Sequence, residues 1–337
     1  MKTLSIIIPV YNVKDYLAAC LDSAVVPGLS GEYEIVAVND GCTDSSPEIL
    51  AEYAEKFPGI IRIITKENGG LGSARNAALP VAEGEFVFFL DSDDTLPENT
   101  VREMVATCRN GNFDICFFDM EAVDEKGTVL EHVTGANREG YFTLEENPDI
   151  LLCRMNACNK LFRRSLFIDN NLSFKDREWY EDVSLVPGMY PLAKKMYYAP
   201  HVWYKYLMRS GSIMNNKKLE RNLEITSALD AMRSQFQQQG LFEKYHDYLE
   251  YAAFYNGLVA ATVRINLAVP LRECSTGNPA ELQNRLLDWF LKSFPDYRQN
   301  RFVQTTPAKY KLLDFLITHR MRKLVHLVMS TNAAVKR

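Results

Sequence analysis

The residues best suited to chemistry in this chain are acids placed where an apolar run stops. Glu85-Phe86-Val87-Phe88-Phe89-Leu90-Asp91-Ser92-Asp93-Asp94 is a strand-length apolar stretch closed by three aspartates. Such a run reads as a strand buried on both faces, inside a mostly parallel sheet. Open α/β sheets bind ligands at the carboxyl ends of their strands. Alternation puts Asp91 and Asp93 on one side of the strand, where close carboxylates repel each other unless a cation neutralises them. Mg²⁺ held by one or two carboxylates plus phosphates would do so. The same residues also read as a polar turn, with Asp94-Thr95-Leu96-Pro97 capping the next helix. A second acid pair lies in Trp179-Tyr180-Glu181-Asp182-Val183-Ser184-Leu185. By composition alone this pair is an acidic first turn of the kind a helix dipole favours.

Four early strands would position the first group of acids: 4–10, 33–39, 60–64 and 86–90, each followed by a helical pattern. That alternation means βαβ units and a parallel sheet. The strand ends then share one edge and carry Tyr11, Asp40, Asn68-Gly69-Gly70 and Asp91/Asp93. Tyr11 could stack on a nucleobase and Asp40 accept a ring N–H; equally, they describe a rim aromatic and a turn. Gly69-Gly70-Leu71-Gly72 lets backbone approach a ligand at a helix N-terminus, and matches neither the P-loop nor the dinucleotide pattern. Arg75, just inside that helix, could reach phosphate or base, or be a surface arginine. Beyond residue 110 the alternation stops. A strand is expected over 113–120, a hairpin turn at 125–128, and strand-like stretches over 156–167 and 195–208 with a helix near 181–193. From 217 the pattern is helical: 219–239, 241–265, 279–294 and 307–329.

At 337 residues, 47% hydrophobic and 24% charged, the chain can bury a sizeable core. A net charge of −5 gives no reason to expect nucleic acid as a partner. Seven scattered cysteines without a CxxC pair fit reduced thiols in a cytoplasmic protein. No signal peptide is expected, and no apolar run approaches the ~18–20 residues of a membrane span.

Four blocks in order make the pattern specific: Ser5-Ile6-Ile7-Ile8-Pro9-Val10-Tyr11-Asn12, Val38-Asn39-Asp40-Gly41-Cys42-Thr43-Asp44, Glu67-Asn68-Gly69-Gly70-Leu71-Gly72-Ser73-Ala74-Arg75-Asn76 and Phe89-Leu90-Asp91-Ser92-Asp93-Asp94. Together they resemble glycosyltransferase family 2, inverting enzymes with a GT-A nucleotide-sugar fold, closely over about the first 110 residues and more loosely to Ile213. Cys42 stands where the family often has Ser. The resemblance implies an α/β fold: a GT-A-like, Rossmann-type, mostly parallel sheet sandwiched by helices, followed by a mainly helical C-terminal region. The expected division is 1–215 for the transferase domain (1–110 nucleotide-binding, 111–215 acceptor) and 216–337 for the helical region.

The resemblance also implies roles. A UDP-sugar donor would be bound by Pro9, Tyr11, Asp40, Asn68, Gly70, Arg75, Asp91, Ser92, Lys160, Arg209 and Ser212. Of these, Tyr11, Asp40 and Arg75 would serve the base and Asp91 the ribose. Asp93 would bind Mn²⁺ or Mg²⁺, which stabilises the leaving UDP. Asp182 would be the base, with Glu181 orienting the acceptor, a glycan or lipid-linked molecule of cell-surface polysaccharide synthesis. Lys160, in Asn159-Lys160-Leu161-Phe162-Arg163-Arg164, could meet phosphate or blunt a strand edge. Arg209 and Ser212 resemble the family's Arg-x-x-Ser-Ile loop, or form an ordinary turn. Alternative readings are a nucleotide-sugar-binding regulator with an inactive transferase domain and a sugar nucleotidyltransferase. The last helical stretch is basic and amphipathic, which suits either packing on the domain or peripheral contact with a membrane.

Overall fold

A computed structural model describes residues 2–209 and 218–335. The chain divides into two compact units, Met1–Arg209 and Ser210–Arg337.

The first unit is built on one nine-stranded sheet with the path β3-β2-β1-β4-β8-β5-β9-β7, and β6 paired to β5. Its strands are β1 (Lys2–Val10), β2 (Tyr33–Asp40), β3 (Ile61–Lys66), β4 (Gly84–Phe89), β5 (Ile115–Val123), β6 (Val129–Val133), β7 (Gly140–Phe142), β8 (Lys160–Arg163) and β9 (Met196–Leu207). Helices α1 (Leu17–Ala24), α2 (Ser46–Lys56), α3 (Leu71–Ala78) and α4 (Thr100–Asn110) follow the first four strands in turn. The β3-β2-β1-β4 half is parallel throughout. Its inner strands are apolar on both faces because helices cover both; every residue of β2 is buried. Strand order reverses at β1/β4, the switch point where such sheets open a crevice. The last register pair of these strands is Ile7↔Phe89. Pro9 lies past that pair, so its missing N–H costs the ladder nothing.

The other half is mixed. β8 runs antiparallel between β4 and β5, and β5 lies parallel to β9. Because β8 has a neighbour on each side, Lys160 is not an edge charge, which corrects that expectation. The strand is also shorter than 156–167. After Arg163 the chain turns into α5 (Ser165–Asp169), where Leu166 and Phe167 are buried; an apolar run this short suits either period. The β5–β6 hairpin turns at Gly127, at φ +80°. Helix α6 (Glu181–Met189) precedes β9. Asp94 does not cap the following helix, as α4 begins only at Thr100.

The second unit is helical: α7 (Glu224–Gln238), α8 (Phe242–Ala252), α9 (Ala261–Leu267), α10 (Gly277–Ser293), α11 (Arg301–Thr305), α12 (Ala308–Thr318) and α13 (Arg322–Val335). The stretch expected as one helix over 241–265 contains a π-helical insert, Ala253–Ala260, that buries Phe254, Gly257 and Leu258. The stretch over 307–329 breaks between α12 and α13, where Arg320 takes φ +57°. Among the described residues, no helix is long and apolar enough to cross a membrane.

Candidate active site

The strand ends converge as expected for β1 to β4, and each is fixed by hydrogen bonds to its neighbour. After β1, Asn12 accepts from the Thr43 N–H at 2.8 Å, and the Lys14 N–H donates to Asp44. These bonds tie the loop carrying Tyr11 to the loop after β2. Tyr11 itself is 49% exposed, an aromatic face available for stacking. Asp40, at the end of β2, is buried. Its Oδ1 accepts from Lys66 Nζ at 2.8 Å and the Gly69 N–H at 2.9 Å. Its Oδ2 accepts from Asn68 Nδ2 at 3.2 Å and the Gly70 N–H at 2.8 Å. A carboxylate has about four lone-pair sites, so Asp40 is saturated by the glycine loop it shapes, and a base N–H would have to displace one partner. Gly70 needs its freedom here: φ is +86°, and a Cβ would meet Arg177 Cα at 3.2 Å.

Arg75 is where the structure departs most from the reading of a base- or phosphate-contacting arginine. It points inward from α3, is 1% exposed, and lies against the rings of Phe89 and Phe174. Nη1 donates to Glu181 Oε1 at 2.9 Å and to Asp182 Oδ1 at 2.6 Å, and Nη2 donates to Asp91 Oδ1 at 3.0 Å. One guanidinium thus gathers the acid at the end of β4 and both acids at the start of α6. A buried cation needs paired carboxylates to offset its desolvation. A single positive charge among three acids also leaves a surplus of negative charge, which favours proton retention. Burial, with Asp182 beside it, pushes the Glu181 carboxyl up to about 8 despite Arg75. Asp91 is raised by burial against the opposing pull of Arg75.

The segment before α6 is held against α3. Asn76 Nδ2 donates to the Phe174 carbonyl at 2.7 Å while its Oδ1 accepts from the Phe174 N–H at 2.9 Å. Gly72 permits the approach, since a Cβ there would lie 2.4 Å from the Lys175 carbonyl oxygen. Arg177 bonds the Gly69 and Asn68 carbonyls. Arg177 and Tyr180 both adopt positive φ, +57° and +67°, strain of a kind that clusters at functional sites. Asp182 has a second anchor, as its Oδ2 accepts from the Ala157 N–H at 3.0 Å.

Lys160 sets the loop that presents this N–H. It is buried, and its ammonium donates to the Arg154 and Asn156 carbonyls and to Asn159 Oδ1, at 3.1, 2.6 and 2.7 Å. An ammonium has three donors, so Lys160 has spent its capacity within the protein. Burial draws its pKa down to about 8.

The three aspartates after β4 divide as follows. Asp91 faces Arg75. Asp93 is half-buried and meets Arg209. Asp94 is buried and clamped to β9: Tyr204 Oη donates to its Oδ2 at 2.5 Å and the Leu207 N–H to its Oδ1 at 2.7 Å. Ser92, between them, is buried. Asp93 offers the carboxylate oxygen that a hard divalent cation takes, and in this structure Arg209 occupies it. Ser212 lies outside the described residues. Sequence reasoning missed Asn76, Tyr204, Phe174 and the Ala157 N–H. Asn76 stood inside the third block, whereas the others carry no local signal.

Residues 5–170 match the model of Glycosyl transferase family 2. The chain is 32% identical over 214 residues to the poly(ribitol-phosphate) beta-glucosyltransferase of Bacillus spizizenii, covering 61% of this chain and 32% of that protein. It is 29% identical to glycosyltransferase GlyA of Streptococcus pneumoniae, over 85% of this chain and 41% of that protein. The chain therefore spans well under half the length of these two relatives. Among solved structures, S. aureus TarS 1-349 in complex with UDP aligns with a TM-score of 0.68 at 21% identity, covering 98% of this chain and 92% of that one. That likeness establishes a GT-A-like fold. With its four strand-end blocks gathered on one sheet edge, the stretch 5–170 of this chain is a glycosyl transferase family 2 domain.

Proposed function

We propose that this protein is an inverting, metal-dependent glycosyltransferase that moves a hexose or N-acetylhexosamine from a UDP-sugar to a glycan or lipid-linked acceptor of cell-surface polysaccharide. The observation that carries the reading is the Arg75 hub, which sets Glu181 and Asp182 beside the carboxyl end of β4. Donor and base must lie within one bond-making distance for in-line displacement. Tyr11 stacks on the uracil, the loop shaped by Asp40 lines the nucleoside, and Asp91 meets the ribose. Asp93 holds Mn²⁺ or Mg²⁺, which when bound offsets the charge of the departing diphosphate. Of the two α6 acids, Asp182 is the more exposed, at 18% against 9% for the side chain. Glu181, holding its proton to about pH 8, is a poor base at neutral pH and a good donor to an acceptor oxygen. Asp182 therefore takes the hydroxyl proton as that oxygen attacks the anomeric carbon and UDP leaves from the opposite face.

Relatives that act on poly(ribitol-phosphate), with glucosyl or N-acetylglucosaminyl transfer in their names, support trying UDP-glucose and UDP-N-acetylglucosamine first. The test is sugar transfer with Mn²⁺ by the intact protein, Asp93→Ala and Asp182→Asn. Turnover lost in both, with UDP binding kept in Asp182→Asn, is the expected result. UDP binding with no turnover on a broad acceptor panel would favour a regulator instead.

Peripheral contact with the inner face of the cell membrane belongs to the same proposal. Leu312, Phe315, Met321 and Leu324 on and between α12 and α13 are exposed. Lys309, Lys311, Arg320, Arg322 and Lys323 accompany them, against the single acid Asp314 within 307–335. Apolar side chains with basic neighbours suit an anionic lipid surface. Phe315→Ser with Leu324→Ser should abolish co-sedimentation with phosphatidylglycerol vesicles; unchanged co-sedimentation, or none by the parent protein, would remove this contact from the proposal.

A further inference from the structure

Arg209 stands at Asp93 where a metal cation would stand. Its Nε and Nη2 both reach Asp93 Oδ2, at 2.9 and 2.8 Å. Its guanidinium also covers the ring of Tyr16 at 4.7 Å, a cation–π contact that fixes its plane. The pair is partly withdrawn from water, with side-chain exposures of 17% for Arg209 and 23% for Asp93. Two N–H donors on Oδ2 fill that oxygen's lone pairs, so a metal at Asp93 must either displace the guanidinium or take Oδ1 with a like charge on the same carboxylate. A divalent ion at ~2.1 Å from that oxygen would also be held against a like charge at contact range. Arginine and metal cannot both occupy Oδ2.

We propose that Arg209 is a resident counter-cation: it holds Asp93 in the donor-free protein and yields it when a divalent metal arrives with a nucleoside diphosphate. This rests on the reading of Asp93 as the metal residue. Its consequence is a binding order set by electrostatics. Metal alone must displace a guanidinium and bring no anion to accept it. Metal with a diphosphate brings anionic oxygens that can take over the guanidinium's hydrogen bonds. The protein therefore binds Mn²⁺ poorly by itself and better together with UDP, and Arg209 is the source of much of that difference.

The test is Mn²⁺ titration of the full chain followed by the electron paramagnetic resonance signal of free Mn²⁺, with and without UDP, so no turnover is involved. Arg209→Gln should tighten Mn²⁺ binding in the absence of UDP by on the order of fivefold, the size expected of a partly buried ion pair. The same substitution should shrink the gain that UDP confers. Arg209→Lys, which keeps the charge without the two-pronged contact, should fall between, and it serves as the reading if the glutamine variant does not fold. Asp93→Asn should lose Mn²⁺ binding in both conditions. Equal or weaker Mn²⁺ affinity in Arg209→Gln, including no detectable binding by either protein without UDP, overturns the role of Arg209. Mn²⁺ binding that survives in Asp93→Asn overturns the metal assignment, and with it this inference.

Discussion

Nη1 of Arg75 donates to Oδ1 of Asp182 at 2.6 Å, joining the helix after β3 to the helix before β9. Arg75→Ala should therefore act on both sides of the site. Removing one member of a buried ionic cluster leaves the others uncompensated, at a cost of about 3–5 kcal/mol. Urea denaturation should show that loss. Arg75→Lys should recover much of the stability and little of the turnover, because one ammonium cannot reproduce a planar fork that spans three acids. Equal recovery of both would assign Arg75 to folding alone.

The pH dependence of stability should carry the mark of Glu181. In the unfolded chain a glutamate titrates near about 4.3, and in the folded protein it titrates at about 8. Between those values the fold holds a proton that the unfolded chain has lost. The favourable contribution is therefore complete below the unfolded value and is lost as pH rises through the folded one. Glu181→Gln cannot titrate, so its stability relative to the parent should improve from pH 5 to pH 8. Parallel curves in that window, measured by thermal melts in matched buffers, would contradict the shift.

Tyr204→Phe removes the hydroxyl that donates to Asp94 and accepts from the Asp91 N–H at 3.3 Å. A buried carboxyl deprived of a partner costs about 1–3 kcal/mol. Melting temperature should fall accordingly. Donor KM should rise more than kcat falls, since Asp91 keeps its place in the sequence but loses a backbone anchor. A change confined to kcat would argue against this arrangement.

Gly72→Ala would set a Cβ at 2.4 Å from the Lys175 carbonyl oxygen. Backbone must move, at about 1–3 kcal/mol, and what moves is the segment leading to Glu181 and Asp182. Turnover should drop at least about tenfold while UDP binding, measured by calorimetry, changes little. Unaltered turnover would mean the segment is not set by α3.

The parallel half of the sheet was legible because each βαβ unit declares itself in a short window: an apolar run, a polar strand end, a helical pattern. The acids at 91, 93, 181 and 182 were legible as types. What joins Asp91 to Glu181 and Asp182 was not. Arg75 has the sequence context of a surface helix residue, and its burial depends on Phe89 and Phe174 closing over it from other elements. Lys160 misled for the same reason: its neighbours on β4 and β5 lie more than 35 residues away in sequence, and nothing local distinguishes a central strand from an edge. Asp94 looked like a cap because Pro97 follows, whereas its partner Tyr204 lies 110 residues downstream.

The wide separations within the Arg75 hub also bear on the order in which the chain acquires its parts. Arg75 reaches Asp91 across 16 residues but Glu181 and Asp182 across 106 and 107. Contacts closed over long loops form late, and during synthesis the first strands are complete well before residue 181 emerges. Until it does, Arg75 has a carboxylate partner in Asp91 and none in α6. The parallel half of the sheet thus waits, with an underpaired internal charge, for the segment that carries Glu181 and Asp182. Closing the fold and gathering the three acids are then one event.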